Sequence, residues 1–230
     1  MKHKIITFSF DDGVMQDLKI IEILNKYNLK ATFNLNSGNF GNSFPLVWEG
    51  VYVERKTVLP EMVKNVYEGH EVAVHTVHHA KLKSISDDEI VKEIVDDIKN
   101  LEELVGYEVR GMAYPCSEFD ERVIRVIKER TPIKYARTVV STYNLDLQNE
   151  LLQFNPTCRY GDKEMYELVE ELFADKSDKS KLLYIWAHTY EFDYKPNKYE
   201  EFEKFCAYIS GRADIEYCTN MEAFKRLKQI

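Results

Sequence analysis

Stretches of strand length rich in apolar residues alternate with amphipathic stretches of helix length along almost the whole chain. That alternation restricts the fold to a parallel sheet wrapped by helices. A strand at about 4–11 precedes a helix at about 15–27, where Leu18, Ile21, Leu24 and Ile20, Ile23, Tyr27 recur at three and four, and Asn28 stops it. The strand Lys30–Asn36 follows, then a helix from Pro60 to Tyr67 ended by Gly69, then the strand Glu71–His75. Ser86-Asp87-Asp88-Glu89 is a capping box. The helix it opens carries Ile90, Ile94, Val95, Ile98, Leu101 and Leu104 on one stripe and stops at Gly106. A strand at about 109–114, a helix at about 120–130 and a strand at about 134–140 continue the order. Beyond an irregular stretch come a helix (163–173), a strand (182–188), a helix (198–209), a short strand (214–218) and a last helix (221–229).

No GxGxxG or P-loop follows the first strand, which disfavours a nucleotide-binding doubly wound sheet. Polar residues fall instead at the C-terminal ends of several strands: Asp11 and Asp12, His75, Tyr114, Arg137, His188. Barrel enzymes place their working groups there. The expectation is therefore a single-domain α/β fold, a distorted (β/α) barrel of about seven or eight strands spanning 1–230. The aromatic-rich insertion at about 39–58 (Phe40, Phe44, Trp48, Tyr52) is long for a strand–helix connection and is expected to be a flap or hairpin over the site.

Two of those strand ends carry metal-type residues. The first strand ends in Phe10-Asp11-Asp12-Gly13, and the strand at 71–75 runs into His75-Thr76-Val77-His78-His79. Of six histidines in 230 residues, His70, His75, His78 and His79 share one ten-residue stretch. Imidazole plus carboxylate with a coordination position left open is how catalytic zinc-type sites are built. A metal-dependent hydrolase is the leading reading. Neighbouring strand residues point to opposite faces, so Asp11 and Asp12 converge only if the chain turns, which Gly13 permits. Taken alone, the pair could simply cap the helix that follows.

Composition narrows the alternatives. The net charge of −8 argues against a nucleic-acid or anionic-membrane partner. No apolar run is long enough to span a bilayer. The start, Met1-Lys2-His3-Lys4, lacks an apolar core and a small-residue cleavage site, so a cytoplasmic location is expected, with an exported form trimmed of its signal left open. Cys116, Cys158, Cys206 and Cys218 show no CxxC spacing, which disfavours zinc knuckles and thioredoxin-like chemistry.

The pair of motifs resembles the polysaccharide deacetylases of the NodB type, carbohydrate esterase family 4. Their first motif is an acidic pair in a Phe-Asp-Asp context, matched by Phe10-Asp11-Asp12-Gly13. Their second is His-Ser/Thr-x-x-His, matched by His75-Thr76-x-x-His79. Tyr114-Pro115 is similar to the third motif, and Ile185-Trp186-Ala187-His188 to the last. The resemblance implies that Asp12, His75 and His79 bind one divalent metal, foremost Zn2+, with Co2+, Ni2+ or Mn2+ as alternatives. It further implies that Asp11 is the general base and His188 the general acid. The backbone N–H of Cys116 would then stabilise the oxyanion together with the metal. The implied partner is an acetylated oligo- or polysaccharide, cleaved at an N-acetyl amide or O-acetyl ester.

Several positions depart from the family pattern. Many relatives carry an arginine two residues before the third-motif proline, where this chain has Ala113. Arg137 is the candidate replacement, as a partner holding Asp11 ionised, with an ordinary surface ion pair as the other reading. The Asp-Trp that usually supports the last histidine is missing, and Asp146 and Asp193 are possible substitutes. His188 could also be a buried histidine satisfied by the backbone. Trp186 is core filling or a pocket wall. Tyr190, Phe192 and Tyr194, with Trp48 and Tyr160, could offer flat faces to a sugar ring. Two other functions stay open: hydrolysis of another small amide or cyclic imide, and non-catalytic saccharide binding on the same fold. A two-metal phosphoesterase is disfavoured by the scarcity of carboxylates near the histidines.

Overall fold

The computed structural model describes residues 2–230. In chain order the elements are β1 (Lys4–Asp11), α1 (Asp17–Lys26), β2 (Ala31–Leu35), β3 (Ser43–Trp48), β4 (Val51–Lys56), α2 (Pro60–Val66), β5 (Glu71–Val74), α3 (Asp87–Val105), β6 (Gly111–Ala113), α4 (Glu121–Arg130), β7 (Tyr135–Arg137), β8 (Cys158–Arg159), α5 (Met165–Ala174), β9 (Lys181–His188), α6 (Lys198–Ile209), β10 (Glu216–Tyr217) and α7 (Asn220–Arg226). The local signals produce these boundaries. Ser86 and Glu89 close a reciprocal capping box at the start of α3, and Gly106 ends it in the left-handed region at φ 79°. Thr219 and Glu222 cap α7 in the same way.

Every pairing in the main sheet is parallel, in the order β7-β6-β5-β2-β1-β9-β8. Short β10 pairs with Ile5 and Ile6 at the start of β1, while β2 pairs further up, from Phe8 to Asp11. The sheet curls into a distorted barrel. The segment 154–159, expected only as part of an irregular stretch, lies between β7 and β9. It bridges Arg137 at Phe154 and pairs with β9 as β8. Two residues of strand leave no periodicity to read.

The main apolar core lies between strands and outer helices. Phe8, Phe10 and Phe33 pack there with Phe202 and Phe205 of α6. The barrel interior, in contrast, is polar. Thr7 and Tyr184 bond to Asn220, Thr32 and Tyr135 bond to Glu71, and Ser9 bonds to Arg137 near the top. Each of these buried groups finds a partner, which is the condition for tolerating them. The insertion is the hairpin β3–β4, an antiparallel pair. Val53 on its inner face packs against Val14 and Tyr190, which places the hairpin beside the C-terminal end of β1.

Candidate active site

Parallel strands bring distant residues together only at their ends, so the site is built where β1, β5, β7 and β9 stop. At the end of β1 the chain turns through two left-handed residues, Asp12 (φ 79°) and Gly13 (φ 63°). A Cβ at residue 13 would stand 2.7 Å from Leu35 Cδ2, so any other residue would displace that methyl as well as strain the backbone. Thr76 and His79 also adopt positive φ. Such backbone costs free energy and collects at working sites.

These turns bring Asp12, His75 and His79 together, their ligand atoms all within 4.8 Å of one another. Asp12 Oδ1 lies 3.6 Å from His75 Nε2 and 3.5 Å from His79 Nε2. His75 Nδ1 is 2.8 Å from the Ala113 carbonyl. A carbonyl only accepts, so the proton sits on Nδ1 and the Nε2 lone pair faces Asp12. Burial lowers His75 to about 4, which keeps the ring neutral. Asp12 Oδ1 is itself buried with no hydrogen-bond partner. An orphaned carboxylate oxygen facing two imidazole lone-pair positions fits a divalent cation better than it fits a self-contained fold. A cavity of about 270 Å³ opens on this cluster, lined also by Asn39, Phe44, Arg55, Thr57 and His78. His78 turns aside, its Nδ1 2.7 Å from Glu93 Oε1.

Asp11 points the other way, into the barrel top. Arg137, fully buried at the end of β7, places one terminal nitrogen against both oxygens of Asp11. Its remaining donors go to Ser9 Oγ (3.2 Å) and the Thr138 carbonyl (2.9 Å), and Asn34 Nδ2 adds a bond to Asp11 Oδ1 at 2.9 Å. The surface ion-pair reading of Arg137 is therefore wrong. Burial alone would raise the Asp11 carboxyl, but Arg137, with His75 and His188, holds it down at about 2.

His188 ends β9 with Nε2 3.9 Å from Asp11 Oδ2. Its Nδ1 lies 2.7 Å from Glu191 Oε1, and Glu191 pairs in turn with Arg159. Burial would lower the His188 pKa; the bond to Glu191 and the charges of Asp12 and Asp11 reverse this and raise it. Neither substitute expected from the sequence takes that place. Asp146 pairs with Lys181 on the surface, and Asp193 accepts from Gln16 and Tyr199. Trp186 is buried and packed against charged groups rather than within the apolar core. It lies 5.0 Å from the Arg137 guanidinium, 5.4 Å from that of Arg159 and edge-on to His188. Tyr190 packs 5.0 Å from the His188 ring and is largely buried, so its face belongs to His188 and Arg55 rather than to open solvent.

Tyr114 is not brought to the site through its side chain. Its hydroxyl donates to the Leu152 carbonyl at 2.7 Å and its ring stacks on Phe119 in the core. Cys116 sits exposed in a single 3₁₀ turn at φ 53°. Partial desolvation by its neighbours, with the nearby charges of Asp12 and Glu118, pushes its thiol up against the opposing charge of Lys81. Two buried acids were not anticipated. Asp97 of α3 accepts from the backbone N–H groups of Ser37 (2.9 Å) and His75 (3.1 Å), and burial raises it to about 7. Asp17 accepts from Tyr67 and Thr189, and burial raises it to about 7 as well.

Fold and cluster together define an α/β barrel with a metal-type centre at the C-terminal ends of its strands. The chain belongs to the polysaccharide deacetylase family, whose model matches residues 1–134. It is 27% identical over 128 residues to a peptidoglycan-N-acetylglucosamine deacetylase of Bacillus cereus, covering 54% of this chain and 41% of that one. It is 24% identical over 178 residues to chitin deacetylase 1 of Cryptococcus neoformans, covering 74% of this chain and 34% of that one. The chain thus spans less than half the length of these curated relatives. A family 4 acetyl xylan esterase from Clostridium thermocellum, solved with a cobalt ion, superposes with a TM-score of 0.58 at 16% identity, over 97% of this chain and 91% of that one. That likeness is one of fold.

Proposed function

We propose that this chain hydrolyses acetyl groups from N- or O-acetylated saccharides, with Asp12, His75 and His79 holding one divalent metal. The observation that carries the reading is the unpartnered, buried Asp12 Oδ1 facing two imidazole nitrogens, flanked by a buried carboxylate on one side and a carboxylate-supported histidine on the other. A divalent ion bound there supplies Lewis acidity to the acyl carbonyl and to a water. Zinc suits one carboxylate and two imidazoles, and cobalt, nickel or manganese can take the same ligands.

The protein supplies the proton transfers. Asp11 accepts the proton of the attacking water, kept anionic and fixed in direction by Arg137 and Asn34. His188 Nε2 donates to the departing nitrogen or oxygen. Glu191 accepts from Nδ1–H, which fixes the tautomer and favours the protonated ring. The backbone N–H of Cys116 offers a donor to the developing oxyanion. Trp186 screens this end of the barrel from water.

The test is acetate release from a panel of acetylated oligosaccharides, chitin, peptidoglycan and xylan fragments among them, by protein loaded with zinc or cobalt. Metal-dependent release that disappears with chelator is the expected result. Stoichiometric metal binding with no release from any member, but turnover of a cyclic imide or small amide, would move the chain to a different hydrolase. Sugar binding without turnover of anything would make it a binding protein.

A further inference from the structure

The hairpin β3–β4 carries one cation to the wall of the metal-type cavity. Arg55 stands opposite Phe44 in the antiparallel ladder, and both line the cavity beside Asp12 and His79. Its Nε donates to the Phe44 carbonyl at 3.0 Å, and its guanidinium lies 5.1 Å over the Tyr190 ring. The side chain is thereby stiffened, with its terminal nitrogens uncommitted. Among the described residues, seven of the nine arginines have a carboxylate within 4.0 Å, and Arg55 and Arg125 do not.

Of these two, Arg55 is the one that lines the metal-type cavity. The chain carries 39 acids against 31 bases, so a carboxylate partner is easily found on its own surface. The hairpin is also docked without Arg55, by Val53 against Val14 and Tyr190, by Gln16 Nε2 donating to the Glu54 carbonyl at 2.9 Å and by Met15 N–H donating to the Lys56 carbonyl at 2.8 Å. A neutral acetamido sugar gives a guanidinium nothing to neutralise, whereas a carboxylate matches its planar fork and draws charge-assisted hydrogen bonds. Beyond the hairpin, a second cavity of about 290 Å³ continues the theme. There Trp48 stacks on Tyr194 with ring centroids 5.8 Å apart, and Lys195 and Lys198, the latter paired with Glu201, share the wall with Glu49 and Glu191.

We infer that the substrate is an acidic saccharide, in which a carboxylate next to the acetylated sugar is received by Arg55. The inference rests on the deacetylase reading and narrows its substrate class. Acetate release and calorimetric binding are compared for two tetrasaccharides, one alternating glucuronate with N-acetylglucosamine, the other N-acetylglucosamine alone. Metal-loaded wild type is expected to favour the acidic one in kcat/KM. Arg55→Met is expected to cut that preference by about 10- to 100-fold, mostly through KM, and Arg55→Lys to restore part of it. Equal loss on both substrates would mean that Arg55 only braces the hairpin, and no preference in wild type would also overturn the idea. If neither tetrasaccharide nor any member of the wider acetylated panel releases acetate, the deacetylase reading fails on its own. Calorimetry still decides the Arg55 question, because tighter binding of the acidic tetrasaccharide must then vanish in Arg55→Met.

Discussion

Arg137 and Asp11 stand 126 residues apart in sequence and meet as an ion pair inside the barrel, their side chains 0% and 3% exposed. The two reach each other because β1 and β7 end at the same level of the curled sheet. Removing one partner of such a pair leaves the other charge buried, at a cost of about 3–5 kcal/mol. Deleting the guanidinium outright therefore confuses folding with function.

Arg137→Lys keeps the charge and gives a cleaner experiment. Lysine cannot serve Asp11, Ser9 and the Thr138 carbonyl at once, so the proposed base loses its fixed direction. Turnover should fall about 10- to 100-fold, the worth of one or two charge-assisted hydrogen bonds, with bound metal unchanged. Activity and metal content measured on one preparation decide it. Full turnover would show that Asp11 needs no such anchor.

The two acids of the first motif should separate cleanly. Asp11→Asn is expected to retain the metal and lose turnover, because an amide cannot accept the water proton. His79→Ala should lose both, since it removes one of the three proposed metal ligands. Elemental analysis after dialysis, beside acetate release, provides the readout. An active Asp11→Asn protein would place the base elsewhere.

Much of this architecture is written in short-range sequence. Ser86, Glu89 and Gly106 fix α3 through local bonds, and Asp12-Gly13 and His75–His79 mark the cluster because two strand ends each bring a compact motif. The barrel closure is not readable, because β8 is two residues long and exists only through its neighbours. Glu191 was missed because its bond to His188 depends on the chain folding into a 3₁₀ turn just after β9, and nothing before the turn announces it. Asp97 did leave a signal. It falls on the apolar stripe of α3 between Ile94 and Ile98, where periodicity demands a buried residue and therefore a bonded acid. Tyr114 misled in the opposite sense: a motif position marks where the backbone runs, and its side chain turned into the core.

Glu191 sets the charge state of the proposed acid. Its bond raises the His188 pKa, so Glu191→Gln should lower it and make the proton leave at lower pH. The alkaline limb of the kcat/KM profile is then expected to move to lower pH while the acid limb stays in place. Glu191→Asp, which keeps a carboxylate on a shorter arm, should recover part of the shift. An unmoved alkaline limb would remove Glu191 from the mechanism and leave it as a partner of Arg159 alone.

Asp17 governs pH-dependent stability rather than chemistry. Its oxygens accept from Tyr67 and Thr189 in a fully buried position, and burial lifts its pKa from 3.8 to about 7. Between those values the folded protein keeps a proton that the unfolded chain has released. This contribution is therefore fully present below about pH 4 and is lost as pH rises toward 7. A shift of that size corresponds to a few kcal/mol, on the order of 1.4 per unit, spread across the window. Asp17→Asn has the same shape, never ionises, and can bond both hydroxyls through its amide. Urea unfolding of the metal-free protein at pH 5 and pH 8 should show the wild type losing more stability between the two than the variant does. The variant should be the more stable of the pair at pH 8. Identical losses in both proteins would mean that Asp17 is ionised in the fold throughout, with Thr189 and Tyr67 stabilising the charge.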